Sequence, residues 1–259
     1  MEKYNRIWRL FYGIAIIGIA IQQMVICHFM PVIVPPAAPL LSNCKACVFI
    51  VSILLLIGGT CIAFTKKSRT KALLTGVLLL LLFVVFHLPY QVQHNLHFLA
   101  GWSDALKILA LSGGAFVVAG SLTNEGIPNK LTSILEKLIP LGRFFFAIDI
   151  LMAGIMHFMY MPFVVMLVPA WVPWPAFWGY LAGVALIAAS LGIILNIQLK
   201  LAANLLGGII LIWLITLHIP RAIADPLTGN GNEIVSVFEA LGFSGIAFLI
   251  GASARSPKE

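Results

Sequence analysis

Residues 46–64 read ACVFIVSILLLIGGTCIAF, an apolar run without one charged side chain. Wound as an α-helix at about 1.5 Å per residue, it spans about 30 Å, the thickness of a bilayer's hydrocarbon core. Seven further runs of this kind flank it: Leu10–Phe29, Ala72–Leu88, Ser103–Gly120, Phe144–Met161, Trp174–Leu195, Leu199–Leu217 and Ile234–Ala252. The composition agrees. The chain of 259 residues is 61% hydrophobic and 10% charged, with a mean hydropathy of +1.05, whereas soluble proteins carry about 25% charged residues. So few charges do not cover a water-facing surface, and the lipid bilayer is the expected surroundings. The expected class is an all-α membrane protein with eight transmembrane helices. A net charge of +7 comes without a basic patch interleaved with exposed aromatics, which argues against a nucleic-acid partner.

The basic residues instead report orientation. If the spans alternate in direction, 13 of the 16 lysines and arginines fall on the side of the N-terminus. Only Lys45, Lys107 and Arg221 fall on the other. Such asymmetry places both termini in the cytoplasm. The first run is longer than the apolar region of a secretory leader and is followed by no small-residue cleavage motif, so an uncleaved helix is expected. Tyr4 and Trp8 then sit at the inner interface, and Trp102, Trp171, Trp174 and Trp178 at the outer one.

The chain also resembles itself. Shifted by 134 residues, Arg9–Pro39 falls on Arg143–Pro173 without a gap, with Arg9/Arg143, Phe11/Phe145, Val34/Val168, Pro35/Pro169 and Pro39/Pro173 among the identities. His87-Leu88-Pro89 matches His218-Ile219-Pro220 at an offset of 131, and Ser112–Phe116 matches Ser244–Phe248 at 132. The offsets change in loops, where gaps belong. Four spans per copy is an even number, so the eight helices are expected as two parallel four-helix repeats about an axis along the membrane normal. The copies divide as residues 1–133, including a polar linker over Leu122–Leu141, and residues 134–259.

Ionisable side chains are costly within a bilayer and point to function by default. Here they are Asp149, His157, Glu239, His87, His218 and Lys107. His157 lies about 21 Å along its helix from Arg143, and His218 about 27 Å from Lys200; Glu239 lies about 9 Å below Glu233. These depths place His157, His218 and Glu239 in the outer third of the membrane, where they are expected to line a polar pocket. Gln23, His87 and Lys107 hold the corresponding positions in the first copy. Asp149, about 80° around the helix from His157, completes the candidate ligand-binding set. Histidine changes charge near neutral pH, which suits proton exchange or hydrogen bonding. The alternative is that His87 and His218 simply end their helices beside Pro89 and Pro220. No tight metal-binding motif is present.

Cys44 and Cys47 form a C-K-A-C motif at the start of the second span, on the expected outer side. Such a pair at a helix N-terminus beside a lysine is a candidate redox dithiol, although the thioredoxin-like context is lacking. An incidental or structural pair is the other reading. Cys27 and Cys61 fall inside spans and read as small hydrophobes.

The C-terminal 120 or so residues resemble the DoxX-like (DoxX/DoxD) family of bacterial integral membrane proteins. The resemblance rests on Gly154-Ile155-Met156-His157-Phe158, Val168-Pro169-x-Trp171-Val172-Pro173, Gly183, Gly192, His218-Ile219-Pro220-Arg221 and Phe238–Gly245. Where members carry a glutamate after the second-helix glycine, Gly183 is followed by Val184, Ala185 and Leu186. The resemblance implies a four-helix unit, the bacterial inner membrane and a redox- or quinone-associated accessory role, with quinone or another membrane redox subunit as partner. A transporter between the copies and a non-catalytic assembly or stress factor are the alternatives. No catalytic constellation marks an enzyme.

Overall fold

The computed structural model describes residues 2–36, 44–65, 68–123 and 130–254. Pro39 of the repeat match, the linker residues Asn124, Glu125, Gly126 and Pro128, and Lys66, Lys67, Arg255 and Lys258 lie outside the described residues. Within them the chain is helical, with no strand. Eight helices are long and apolar enough to cross a membrane. They are α1 (Glu2–Ile26), α2 (Lys45–Phe64), α3 (Arg69–His94), α4 (Ser103–Gly120), α5 (Gly142–Met159), α6 (Pro175–Ile194), α7 (Leu199–Ala224) and α8 (Asn232–Ser253).

Each helix packs against its sequence neighbour, and α8 returns to α1, closing a ring. Helices α4 and α8 also meet each other across the middle. They are the inner pair: 72% and 67% of their apolar windows are buried, against 44% or less in the other six. The outer faces carry Ile50, Ile57, Leu81, Val184, Leu205 and Ile212, all exposed. Apolar surface of this extent is unstable in water and natural against lipid tails.

Contacts in one half recur in the other at the offsets of the sequence matches. Ser112 Oγ donates to the Gly76 carbonyl at 2.8 Å, and Ser244 Oγ to the Gly207 carbonyl at 3.0 Å. A hydroxyl that bonds a neighbouring helix's backbone holds α3 to α4, and α7 to α8, without leaving a polar atom bare. Glycines set the closest approaches. A Cβ on Gly113 would stand 2.5 Å from the Gly142 carbonyl oxygen, and one on Gly245 would stand 2.7 Å from that of Trp8. These crossings seat α5 on α4, and α1 on α8.

Two helices run further than their apolar patterns suggest. The third and seventh runs end at Leu88 and Leu217, yet α3 continues to His94 and α7 to Ala224. In both, a π-helical turn, Phe83–His87 or Leu214–His218, precedes the proline at Pro89 or Pro220. Leu88 N–H donates to the Phe83 carbonyl and Ile219 N–H to that of Leu214, five residues back. The wider turn makes room for a ring that would otherwise clash with the preceding turn. The helix therefore passes the proline instead of ending there.

The halves differ after their first helix. Helix α1 stops at Ile26, and Cys27 takes a left-handed conformation, φ 51°. The segment that follows turns inward and buries Phe29, Met30, Val32, Ile33 and Val34 almost completely. Gln23 anchors it: its Oε1 accepts the Met30 N–H at 3.2 Å, and its Nε2 donates to Ser52 Oγ at 3.1 Å. In the second half a short helix, Met161–Leu167, takes this place and leaves Phe163 and Met166 exposed. Trp171, Trp174 and Trp178 beyond it are exposed as well, as expected of interfacial anchors.

The Gly113 crossing gives a stability test. Gly113→Ala should lower stability by about 1–3 kcal/mol, because the methyl meets immobile backbone. Gly208→Ala, where a Cβ meets nothing within 4 Å, should be neutral or stabilising. Thermal unfolding of the detergent-purified protein measures both.

Candidate functional site

The bundle interior divides into an apolar part and a polar part. Near the end that carries the termini, Tyr12, Phe116, Phe146, Ile246 and Ala247 fill the core with no exposure. The hydroxyl of Tyr12 is satisfied by the Leu111 carbonyl at 2.6 Å. Arg69 closes this end. It pairs with Glu136 of the short helix Lys130–Glu136 at 2.9 Å and donates to the carbonyls of Ala119 in the last turn of α4 and of Leu122 just beyond it.

Charges gather towards the opposite end, around the α4–α8 contact. Lys107 Nζ lies 3.0 Å from Glu239 Oε2 and 3.6 Å from Asp104 Oδ1. Glu239 is 5% exposed, and its second oxygen, Oε1, has no hydrogen-bond partner. Asp149 on α5 is 4% exposed and lies within electrostatic reach of Lys107, Glu239 and Asp104. Glu239 and Asp104 thus flank one ammonium, with the buried Asp149 in electrostatic reach of it. Lys107 and Glu239 are 132 residues apart, which is also the offset of the Ser112–Phe116 match.

One turn of α4 further out, the polar cluster meets a cavity. The cavity has a volume of ≈ 230 Å³ and is lined by His87, Tyr90, Gln91, Asn95, Ala100, Gly101 and Asp104, with Pro31, Pro35 and Pro36 from the inward segment. His87 is fully buried at the end of the π-helical turn; the backbone of Val32 and Ile33 lies close to its ring, but neither ring nitrogen makes a hydrogen bond of normal geometry. A buried imidazole without such a bond is uncommon and marks a place where a ligand or water belongs. The outer part of the lining is ordered: Asn95 Nδ2 donates to Gln91 Oε1 at 2.7 Å, and Trp102 Nε1 to the Asn95 carbonyl at 2.9 Å. Gly101 is required beside it, since a Cβ would fall 2.5 Å from Asn95 Cγ. At the offsets of 131 and 132, the positions of Tyr90 and Gly101 correspond to Arg221 and Glu233. These two form a forked ion pair, with Arg221 Nε donating to Glu233 Oε2 at 3.0 Å. What is cavity wall in one half is a salt bridge in the other.

Of the residues expected from sequence, Glu239 pairs with Lys107, and Asp149 lies buried within electrostatic reach of both. His218 is half-buried on α7, within electrostatic reach of Lys107 and Glu233. His157 stands apart: its Nδ1 faces the Ala153 carbonyl at 2.8 Å, and its ring stacks on Trp213 with centroids 6.2 Å apart. The cavity itself belongs to the first half, through His87, Tyr90, Gln91, Asn95 and Asp104, which were not expected as a set. One signal for them was present, because Lys107 is the counterpart of Glu239 under the internal match. Cys44 and Cys47 are paired as a disulfide in the first turn of α2, with Cα atoms 5.2 Å apart, and Cys47 N–H donates to Cys44 Sγ. Among the described residues, no group of three or more His, Cys, Asp or Glu side chains is placed to hold a metal ion. Comparison with family models, curated proteins and solved structures returns no match.

Removing one partner of a buried ion pair leaves the other charge uncompensated. Lys107→Met is expected to cost about 3 kcal/mol, and Glu239→Leu added to it should recover most of that loss. Thermal unfolding in detergent reads the difference. The cysteines are tested by maleimide labelling in a background with Cys27 and Cys61 changed to Ser. Cys44 and Cys47 should react only after reductant is added.

Proposed function

We propose that this protein is a redox-associated accessory subunit of a bacterial cytoplasmic membrane, and that its His87 cavity receives a quinone head group. The observation that carries this reading is the buried imidazole of His87, without a hydrogen bond of normal geometry, on the wall of the cavity, with Asp104 beside it. A quinone ring presents two carbonyl oxygens, and an imidazole N–H is a suitable donor to one of them. The volume, below the roughly 300–1,000 Å³ of sites for drug-sized ligands, suits a single ring. Prolines and Tyr90 supply flat apolar contact, while Gln91 and Asn95 hold the polar wall.

Further support comes from the sequence. The resemblance of the C-terminal half to DoxX-like proteins favours a membrane redox setting, and the internal match favours a duplicated four-helix module. The distribution of lysines and arginines puts the termini in the cytoplasm and the cavity towards the outer leaflet. The disulfide-paired Cys44 and Cys47 suit an oxidising outer compartment. Permeation between the halves is the weaker reading, since the core towards the termini is filled by Tyr12, Phe116 and Phe146.

Protein extracted in mild detergent should carry quinone detectable by mass spectrometry after organic extraction. His87→Leu should remove most of it while leaving the protein monodisperse. Equal quinone in both would reject the reading.

A further inference from the structure

The charges behind the cavity do not balance. Asp104, Asp149 and Glu239 offer three carboxylates to a single Lys107. Asp104 is 37% exposed at its side chain and borders the cavity, where water can support its charge. Glu239 and Asp149 are 5% and 4% exposed, and one ammonium compensates one of them. Of the surrounding helices, α3 presents His87 on the cavity side of Asp104, and α5 carries His157, which faces Trp213. Helix α4 presents Lys107 and Asp104, and α7 presents His218, with Arg221 and Glu233 joined beyond it. Helix α6 contributes no ionisable side chain except Tyr180, and α1 offers only Gln22 and Gln23 towards this end. Among the described residues no second lysine or arginine lies within ion-pair distance of either acid.

An uncompensated carboxylate in such surroundings is expensive, and it becomes neutral by binding a proton. We propose that Glu239 and Asp149 share one exchangeable proton, held at the contact between the two halves and reached from the His87 cavity through Asp104 and Lys107. Two observations besides the charge count point there. Glu239 Oε1 is buried with no partner, and one turn from the two acids the rings of Phe146 and Phe243 meet edge to face, 5.7 Å apart, so α5 brings Asp149 to the same level of the bundle as Glu239 on α8. The geometry also supplies a route. Asp104 first takes a proton from hydronium in the cavity's water; Lys107 then passes an N–H proton to Glu239 Oε2 at 3.0 Å and recovers one from the Asp104 carboxyl, whose Oδ1 lies 3.6 Å away on the cavity side. Lys107 is again an ammonium, Asp104 is again a carboxylate, and the net change is one proton moved from the cavity to the Glu239–Asp149 pair. Because the two acids interact, the titration belongs to the pair and not to either residue. The site does not depend on the identity of the cavity's ligand.

Infrared difference spectroscopy of the full-length protein in lipid nanodiscs tests this directly. At neutral pH the wild type should show the carbonyl stretch of a protonated carboxyl group, and the band should shift on transfer to deuterated water. Asp149→Asn should abolish it, since Glu239 then pairs with Lys107 in its ionised form. Glu239→Gln, a second isosteric change, should abolish it through the other acid. Absence of the band from the wild type, or its survival in both variants, would overturn the proposal. Adding a short-chain quinone separates the two readings. A wild-type band that is present but unchanged by quinone leaves the proton site standing and counts against quinone in the cavity.

Discussion

Lipid offers no hydrogen bonds, so a chain within it must satisfy each backbone amide and carbonyl internally. This constraint makes the protein helical, and it also explains how the helices meet. With little hydrophobic drive to bring them together, close packing and specific polar contacts do the work. Glycines at Gly113 and Gly245 let backbones touch, and Ser112 and Ser244 bond to carbonyls of the adjacent helix. Each helix is thereby held by two neighbours, and α4 and α8 are enclosed in the middle of the ring.

That ring has nearly the same contacts in both halves, yet its chemistry is one-sided. The clearest case is the central ion pair, where positions 132 residues apart carry Lys107 and Glu239. Identical residues there would place like charges together in a buried setting, which is unfavourable. Opposite charges make the contact attractive. The same divergence appears at the outer end. Tyr90 and Gly101 border a cavity, whereas Arg221 and Glu233 form a salt bridge. The segment after α1 turns inward, while its counterpart exposes Phe163 and Met166.

The cavity also depends on a detail of helix geometry. Pro89 forces a wider turn, which carries His87 to its position at the cavity wall. Such π-turns are frequent at functional sites because they re-aim a side chain without breaking the helix. His218 follows the same turn in the second half, but its surroundings include Arg221 and Glu233. Two similar backbones therefore hold two histidines in different electrostatic settings.

The eight helices and their order were legible from one dimension, because apolar run length and the cost of burying charge in lipid act along the chain. That Asp149 and Glu239 lie within membrane-spanning helices was legible for the same reason: a carboxylate inside an apolar run is conspicuous wherever the helix packs. The partner was harder to read. Lys107 and Glu239 are far apart in sequence, and only the closing of α8 onto α4 brings them to 3.0 Å. His157 shows the converse, since depth along a helix does not say which face it takes, and packing turned it towards Trp213. The cavity likewise arises from the inward turn at Cys27 and the widened turn before Pro89. Both are local departures from regular helix, which hydrophobic periodicity does not record and which only the packed bundle decides.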